Sequence, residues 1–90
     1  MRMYVILVYD VNEKRIPAVH RVCRRYLFWV QNSVFEGELT EGKFKRLKRD
    51  LERVIDKRED SIIFYKLMNR EVFNKEHLGK VREYGDRFMI

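Results

Sequence analysis

The sequence predicts an α+β fold of the ferredoxin-like βαββαβ type, a sheet with helices on one face. Three observations predict it. The run Met3-Tyr4-Val5-Ile6-Leu7-Val8-Tyr9 is unbroken and apolar, and rich in Val, Ile and Tyr, as a buried strand should be. Two later stretches space their apolar residues three and four apart, as amphipathic helices do. Strand-like segments at 29–39 and 61–68 follow those helices, so the elements alternate in ferredoxin order.

The first strand covers residues 3–9 and ends at Asp10. The first helix carries Val19, Val22, Cys23, Tyr26 and Leu27 on its apolar face. Its start is open between two choices. Asn12 is a good cap, but a helix starting there encloses Pro17; a later start puts Pro17 in the first turn, where its missing N–H costs nothing. Residues 29–39 form one or two strand pieces with no purely apolar face. Thr40 caps the second helix, and Glu41 suits its dipole. Phe44, Leu47, Leu51, Val54 and Ile55 form its apolar stripe; burying five side chains at roughly 2 kcal/mol each contributes on the order of 10 kcal/mol. Residues 61–68, rich in Ile, Phe and Tyr, form a further strand. Residues 69–86 are polar and weakly periodic, and the chain closes on Arg87-Phe88-Met89-Ile90. An apolar terminus after such a tail predicts a short strand at about 87–90, added to a sheet in this subunit or in a partner's.

Ninety residues predict one domain over 1–90. Its core is small, so oligomerisation is a natural supplement. Twenty Lys and Arg oppose fourteen Asp and Glu, a net charge of +6. That balance points to a polyanionic partner, nucleic acid before a membrane surface. The N-terminal apolar run is too short to span a bilayer and ends in a carboxylate, so a cytoplasmic protein without membrane partnership is expected. With Cys23 as the single cysteine, there is neither an intrachain disulfide nor a cysteine-based zinc site; on an apolar helix face it reads as a buried thiol. His20 and His77 match no metal spacing and read as surface residues.

Asp10 is the acidic residue whose position needs a chemical reason. A carboxylate just past a buried strand is costly unless solvated, paired or metal-bound. A turn or cap role and a magnesium-ligand role both satisfy that requirement. Glu13 is nearby and reads as a solvated loop residue.

Basic residues crowd both helices. Arg21, Arg24 and Arg25 lie opposite the first apolar stripe. Lys43, Lys45, Arg46, Lys48, Arg49 and Arg53 crowd the second helix, where Asp50, Glu52 and Asp56 partly neutralise them. Backbone phosphate contact is the reading taken for Arg21, Arg24, Arg25, Lys45, Arg46, Lys48 and Arg49.

Tyr9-Asp10-Val11 at a strand end, an Arg-rich helix, and Gln31-Asn32-Ser33-Val34-Phe35-Glu36-Gly37 some twenty residues later resemble the small CRISPR-associated endoribonuclease family. That family is the second of the two core proteins of spacer acquisition, the small partner of the integrase. The resemblance covers nearly the whole chain. It implies a homodimer locked by the last strand crossing to the other protomer, and a magnesium ion, or manganese in its place, held between two Asp10 carboxylates. It implies an Asp10-dependent endonuclease, hydrolysing RNA or DNA phosphodiesters, and a bridge between integrase dimers on duplex DNA. Single-stranded RNA is the further substrate it suggests. Arg15 matches a basic residue near the phosphate. Ser33 and Phe35 carry over as site-shaping residues, with Phe35 at the dimer surface, and Tyr9 joins them or is simply core. One departure stands out: many members carry Gly-x-Arg before the Gln motif, and here Leu27-Phe28-Trp29 occupies that stretch. Trp29 reads as a dimer or core contact, with base stacking as the alternative.

Two other functions compete. A toxin family shares the small fold and strand-end Asp, which makes a toxin-type endoribonuclease the runner-up. A non-enzymatic RNA-binding module ranks lower, because the Lys/Arg-Gly-Phe type of signature such sheets carry is absent. An integrase gene beside this one separates the first reading from the second.

Overall fold

The computed structural model describes residues 2–69 and 72–80. Strand β1 (Arg2–Asp10) leads through a 3₁₀ turn (Glu13–Arg15) into helix α1 (Ile16–Arg24). Strands β2 (Phe28–Gln31) and β3 (Val34–Thr40) follow, then α2 (Glu41–Glu52), β4 (Ser61–Asn69) and β5 (Val72–Gly79). The sheet order is β2-β3-β1-β4-β5, with every neighbouring pair antiparallel. The expected α+β ferredoxin-like arrangement is present, extended by one strand beyond β4. The strand expected at 87–90 lies outside the described residues.

Period-two alternation along β1 divides the sheet into two faces. Met3, Val5, Leu7 and Tyr9 point into the core. Leu7 stands opposite Phe35 on one side and Phe64 on the other. The helices close this face with Val19, Val22 and Cys23 from α1 and Phe44, Leu47 and Leu51 from α2. Phe44 meets Phe64 edge-to-face, ring centroids 5.2 Å apart. Cys23 is fully enclosed, and burial pushes its thiol up to about 12, so it packs as a small apolar residue. The other face carries Tyr4, Ile6 and Val8, aligned across the registers with Val34, Ile63, Tyr65 and Leu67. Phe28 joins it through Glu36 at the β2 edge. Ile63 and Tyr65 are buried there, while Tyr4, Leu67 and above all Phe28, at 78%, are exposed.

Local chemistry sets the element ends. The two possible starts of the first helix are both used: Asn12 caps the 3₁₀ turn, its side chain accepting from the Lys14 N–H at 3.0 Å, and Pro17 occupies the first turn of α1. Thr40 Oγ1 accepts from the Lys43 N–H at 3.2 Å and caps α2. The helix stops before its expected stripe is complete. Arg53 and Val54 N–H groups bond three residues back, to Asp50 and Leu51 carbonyls, and tighten the last turn. Val54 and Ile55 therefore reach the core margin from a turn, not from the helix. Residues 28–40 are two strands. The two-residue link Asn32-Ser33 joins them, with Asn32 at φ 44°, a left-handed conformation that asparagine tolerates.

Strand β5 was not anticipated, because its residues are polar and its pairing with β4 is a tertiary feature with no local period. Its Glu76 accepts from Lys48 at 2.7 Å and from Lys66, and both ammonium groups lie over the Phe44 ring, 5.0 and 4.9 Å from its centroid. Burial works against the Glu76 charge, but the two lysines outweigh it and hold the carboxyl below its usual range.

Gly79 ends β5 at φ 96°, and the next residue, Lys80, donates its N–H to the Asp60 carbonyl at 2.6 Å. A Cβ at Gly79 would lie 1.8 Å from that carbonyl oxygen. Nothing lies within 4 Å of a Cβ at Gly42. Gly79→Ala should therefore destabilise by about 2 kcal/mol or more, while Gly42→Ala should be neutral or stabilising by up to about 1 kcal/mol. Urea unfolding of the two variants checks the contrast.

Candidate functional site

Asp10 is the last residue of β1, exposed, and opposite Ser61 of β4. The backbone is anchored on both sides of it. Before it, the Tyr9 N–H donates to the Ser33 carbonyl at 3.1 Å, in the β2–β3 turn. After it, the Asn12 N–H donates to Asp60 Oδ1 at 2.9 Å.

Asp60 is fully buried and collects four charge-assisted bonds. Arg15 grips it with both ends of a fork, Nε to Oδ2 at 2.6 Å and Nη2 to Oδ1 at 3.1 Å. The Asp56 N–H donates to Oδ2 at 2.8 Å, and Asn12 supplies the fourth bond. Glu59 completes the knot, accepting from Arg15 at 3.1 Å and from Asn12 Nδ2 at 3.2 Å. Burial opposes the Asp60 charge, yet Arg15 and the two backbone N–H groups overcome it and hold the carboxyl below its ordinary range. The same bond to Asp60 is the main cause that raises the Arg15 guanidinium. Sequence reasoning missed Asp60; it lies between Glu59 and Ser61 at a strand start, and nothing local marks it as buried.

Several expected site residues are placed differently from their expected roles. Arg15, expected at a phosphate, is committed to Asp60 and Glu59, because a buried carboxylate demands a paired cation. Lys48, expected on nucleic acid, is instead paired with Glu76. Phe35, expected at a dimer surface, is fully enclosed in the core, because its position in the β1–β3 register points it at the helices. Tyr9 is core as well, and its hydroxyl shares a 2.5 Å hydrogen bond with His20 Nε2. Ser33 is half-buried in the β2–β3 turn and meets the Asp10 segment through its backbone carbonyl.

Neither histidine is a plain surface residue. His77 Nε2 lies 2.7 Å from the Lys80 carbonyl and 3.4 Å from Ser61 Oγ. His20 packs edge-on against Phe35 and Tyr9, ring centroids 4.9 and 5.4 Å away, with Trp29 at 6.3 Å. Burial, then the nearby Arg24 charge, lowers its pKa, so the ring is neutral at pH 7. Trp29 is not buried. It is 54% exposed, with its Nε1–H donated to the Asn32 carbonyl at 3.0 Å.

Arg21, Arg24, Arg25, Lys45, Arg46 and Arg49 are exposed, and among the described residues none of the six forms an ion pair. They sit on α1, at its end and on α2, the layer opposite the apolar sheet face. Among the described residues no group of three or more His, Cys, Asp or Glu side chains is arranged to hold a metal. Asp60 and Glu76 are bound to cations, and Asp10 is the exposed carboxylate that ends β1. An exposed carboxylate is a hard oxygen donor suited to magnesium, which keeps most of its waters; two copies would suit it better.

Comparison with known proteins places this arrangement. The family model for CRISPR associated protein Cas2 matches residues 3–75. The chain belongs to the Cas2 family. A CRISPR-associated endoribonuclease Cas2 of Thermotoga maritima is 56% identical over 98% of this chain and 100% of its own length. One from Dictyoglomus turgidum is 52% identical, over 86% of this chain and 88% of its own. A solved Cas2 structure superposes with a TM-score of 0.73 at 38% identity, covering 92% of this chain and 93% of the other; that of Streptococcus pyogenes Cas2 gives 0.67 at 39%, covering 76% and 88%. Among the described residues, no helix of this Cas2 chain is long and apolar enough to cross a membrane.

Removing the Asp60 carboxylate leaves Arg15 with Glu59 alone and orphans two backbone donors. Asp60→Ala should cost about 3–5 kcal/mol. The folded Asp60 carboxyl titrates below its unfolded value, so its stabilisation is complete above the ordinary carboxylate range and disappears as pH falls through the folded value. Urea unfolding measured between about pH 6 and pH 2 should show a shallower acid loss in Asp60→Asn than in the wild type.

Proposed function

We propose that this chain is a homodimeric component of CRISPR spacer acquisition, working in the cytoplasm, that holds duplex DNA and partners the integrase. We further propose that it hydrolyses phosphodiesters at a site built on Asp10. The observation that carries the catalytic part is the placement of Asp10: an exposed carboxylate at a strand end, with the backbone anchored by Ser33 on one side and Asp60 on the other. The relatives' name, CRISPR-associated endoribonuclease Cas2, supports the same reading.

The apolar sheet face supports the homodimer. Tyr4, Leu67 and Phe28 expose large apolar side chains on the face that also ends in Asp10, so two-fold packing of this face covers them and brings two Asp10 residues toward one axis. Two carboxylates from one residue type then suit a magnesium ion, with manganese as the substitute. Bound there, the ion would supply Lewis-acid stabilisation and an activated water. Asp10 would hold it; the Asp60 knot and the Ser33 carbonyl keep the backbone beside Asp10 in place. The cationic helix layer faces away from the dimer face, so the phosphate backbone is held by Arg21, Arg24, Arg25, Lys45, Arg46 and Arg49. Such contacts position a duplex without reading its sequence.

A non-catalytic, DNA-holding role is the second reading, favoured because among the described residues no group of three or more His, Cys, Asp or Glu is arranged to hold a metal. Asp10→Asn decides between them. It preserves the shape and removes the charge, so with magnesium or manganese cleavage of single-stranded RNA or duplex DNA should fall at least about 100-fold, while fold and binding persist. Wild-type cleavage in a rigorously purified Asp10→Asn protein moves the site elsewhere. A wild type inactive under every metal condition leaves the holding role.

Duplex binding should be steeply salt-dependent. With six to ten phosphates contacted, affinity should fall roughly 10³- to 10⁵-fold between about 50 and 200 mM salt. A flat titration removes the electrostatic argument, and discrimination between unrelated duplexes removes the backbone argument.

A further inference from the structure

An open groove of about 520 Å³ runs along α1, lined by Ile16, Pro17, His20, Arg21 and Arg24. Trp29 stands beside it on the edge strand β2, next to His20. In register Trp29 faces Phe35, so its ring lies on the helix side of the sheet, away from the apolar face assigned to the dimer. It is more than half exposed, yet it is not loosely held: the hydrogen bond to the Asn32 carbonyl and the neighbouring His20 ring fix its orientation. His20 is fixed in turn by Tyr9 and Phe35. A large aromatic face kept in water at a set angle loses little entropy when something stacks on it.

The rest of the groove says what stacks. Its lining combines the apolar Ile16 and Pro17 with two exposed guanidinium groups, Arg21 and Arg24, which form no ion pair among the described residues. Apolar lining, an exposed aromatic ring beside His20 and two cations along one helix match a flat π-system joined to phosphate. A fully paired duplex keeps its bases stacked inside, and offers the groove only phosphates.

We propose that Trp29 and the α1 groove form a binding site for an unpaired nucleotide, its base stacked on Trp29 and its phosphate held by Arg21 and Arg24. The site takes single-stranded segments or unpaired ends, beside the backbone contacts made to the duplex. This rests on the nucleic-acid-binding reading above, and adds to it a place in the fold for an unpaired base and a residue that phosphate contact alone does not require.

Trp29 is the single tryptophan, so its emission reports this site alone. The full chain is titrated with an unlabelled single-stranded oligonucleotide, with a blunt duplex of equal length, and with the same duplex carrying an unpaired 3′ or 5′ extension. The single strand and the extended duplex should quench Trp29; the blunt duplex should bind and quench little. Trp29→Leu should weaken single-strand binding about tenfold, the loss of one stacked base, with Trp29→Phe restoring most of it and blunt-duplex affinity unchanged in both. Equal quenching by blunt and extended duplexes, or single-strand affinity unmoved in Trp29→Leu, overturns the proposal while leaving duplex binding intact. Protection of Trp29 from acrylamide in the protein alone would show a second copy covering the ring, and also overturns it. Failure to bind any of the three nucleic acids defeats this proposal and the broader reading together.

Discussion

The buried Asp60 carboxylate is the constraint around which the functional end of this molecule is organised. A charge with no exposure survives only if every lone pair is used, and here Arg15, Asn12 and Asp56 use them. Those partners come from the loop after β1 and the turn before β4. The Asp60 carbonyl adds the end of β5 by accepting from Lys80. One residue thus ties together the two segments that flank Asp10 in space, the loop that follows it and the strand start that pairs with it. The arrangement explains why the arginine that resembles a phosphate-binding residue is occupied within the protein: its charge is needed inside.

The two sheet faces divide the remaining work. Alternation along β1 sends Met3, Val5, Leu7 and Tyr9 into the core and leaves Tyr4, Ile6, Val8 and Asp10 on the other side. The apolar face and the charge on the helix layer are then geometrically separate, and Asp10 lies at the end of the first. Trp29 belongs to the helix side, next to His20, which lines the α1 groove with Arg21 and Arg24. Leu27-Phe28-Trp29 stands where the resemblance led to Gly-x-Arg, and Trp29 is exposed there, not packed in the core.

Much of the fold was legible because it is written locally. The apolar run of β1, the three- and four-residue spacings of α1 and α2, Pro17 and Thr40 at helix starts, and Cys23 on a buried face all act within a few residues of themselves. What was not legible depends on partners distant in sequence. Strand β5 exists because β4 offers it an edge, and its polar Glu76 is satisfied by Lys48 and Lys66 from two other elements. Asp60 reads as one more surface acid until Arg15, forty-five residues away, is brought to it. His20 reads as exposed until the fold packs it edge-on against Tyr9 and Phe35. The position of Asp10 was readable, since it needs only the strand that ends there; the occupation of Arg15 and Lys48 was not, because charge type carries no information about which acid will be buried nearby.

The central claim is that the Asp60 charge, more than the sheet itself, fixes the backbone beside Asp10. Native-state hydrogen exchange on wild type and Asp60→Asn tests it directly. The amides of Asn12 and Asp56 donate to that carboxylate, whereas those of Val5 and Leu7 belong to the central ladder of the sheet. The account predicts that Asn12 and Asp56 lose protection beyond the change in global stability, while Val5 and Leu7 lose no more than that change. If Asn12 and Asp56 instead lose only what Val5 and Leu7 lose, the sheet alone holds the site and the account is contradicted.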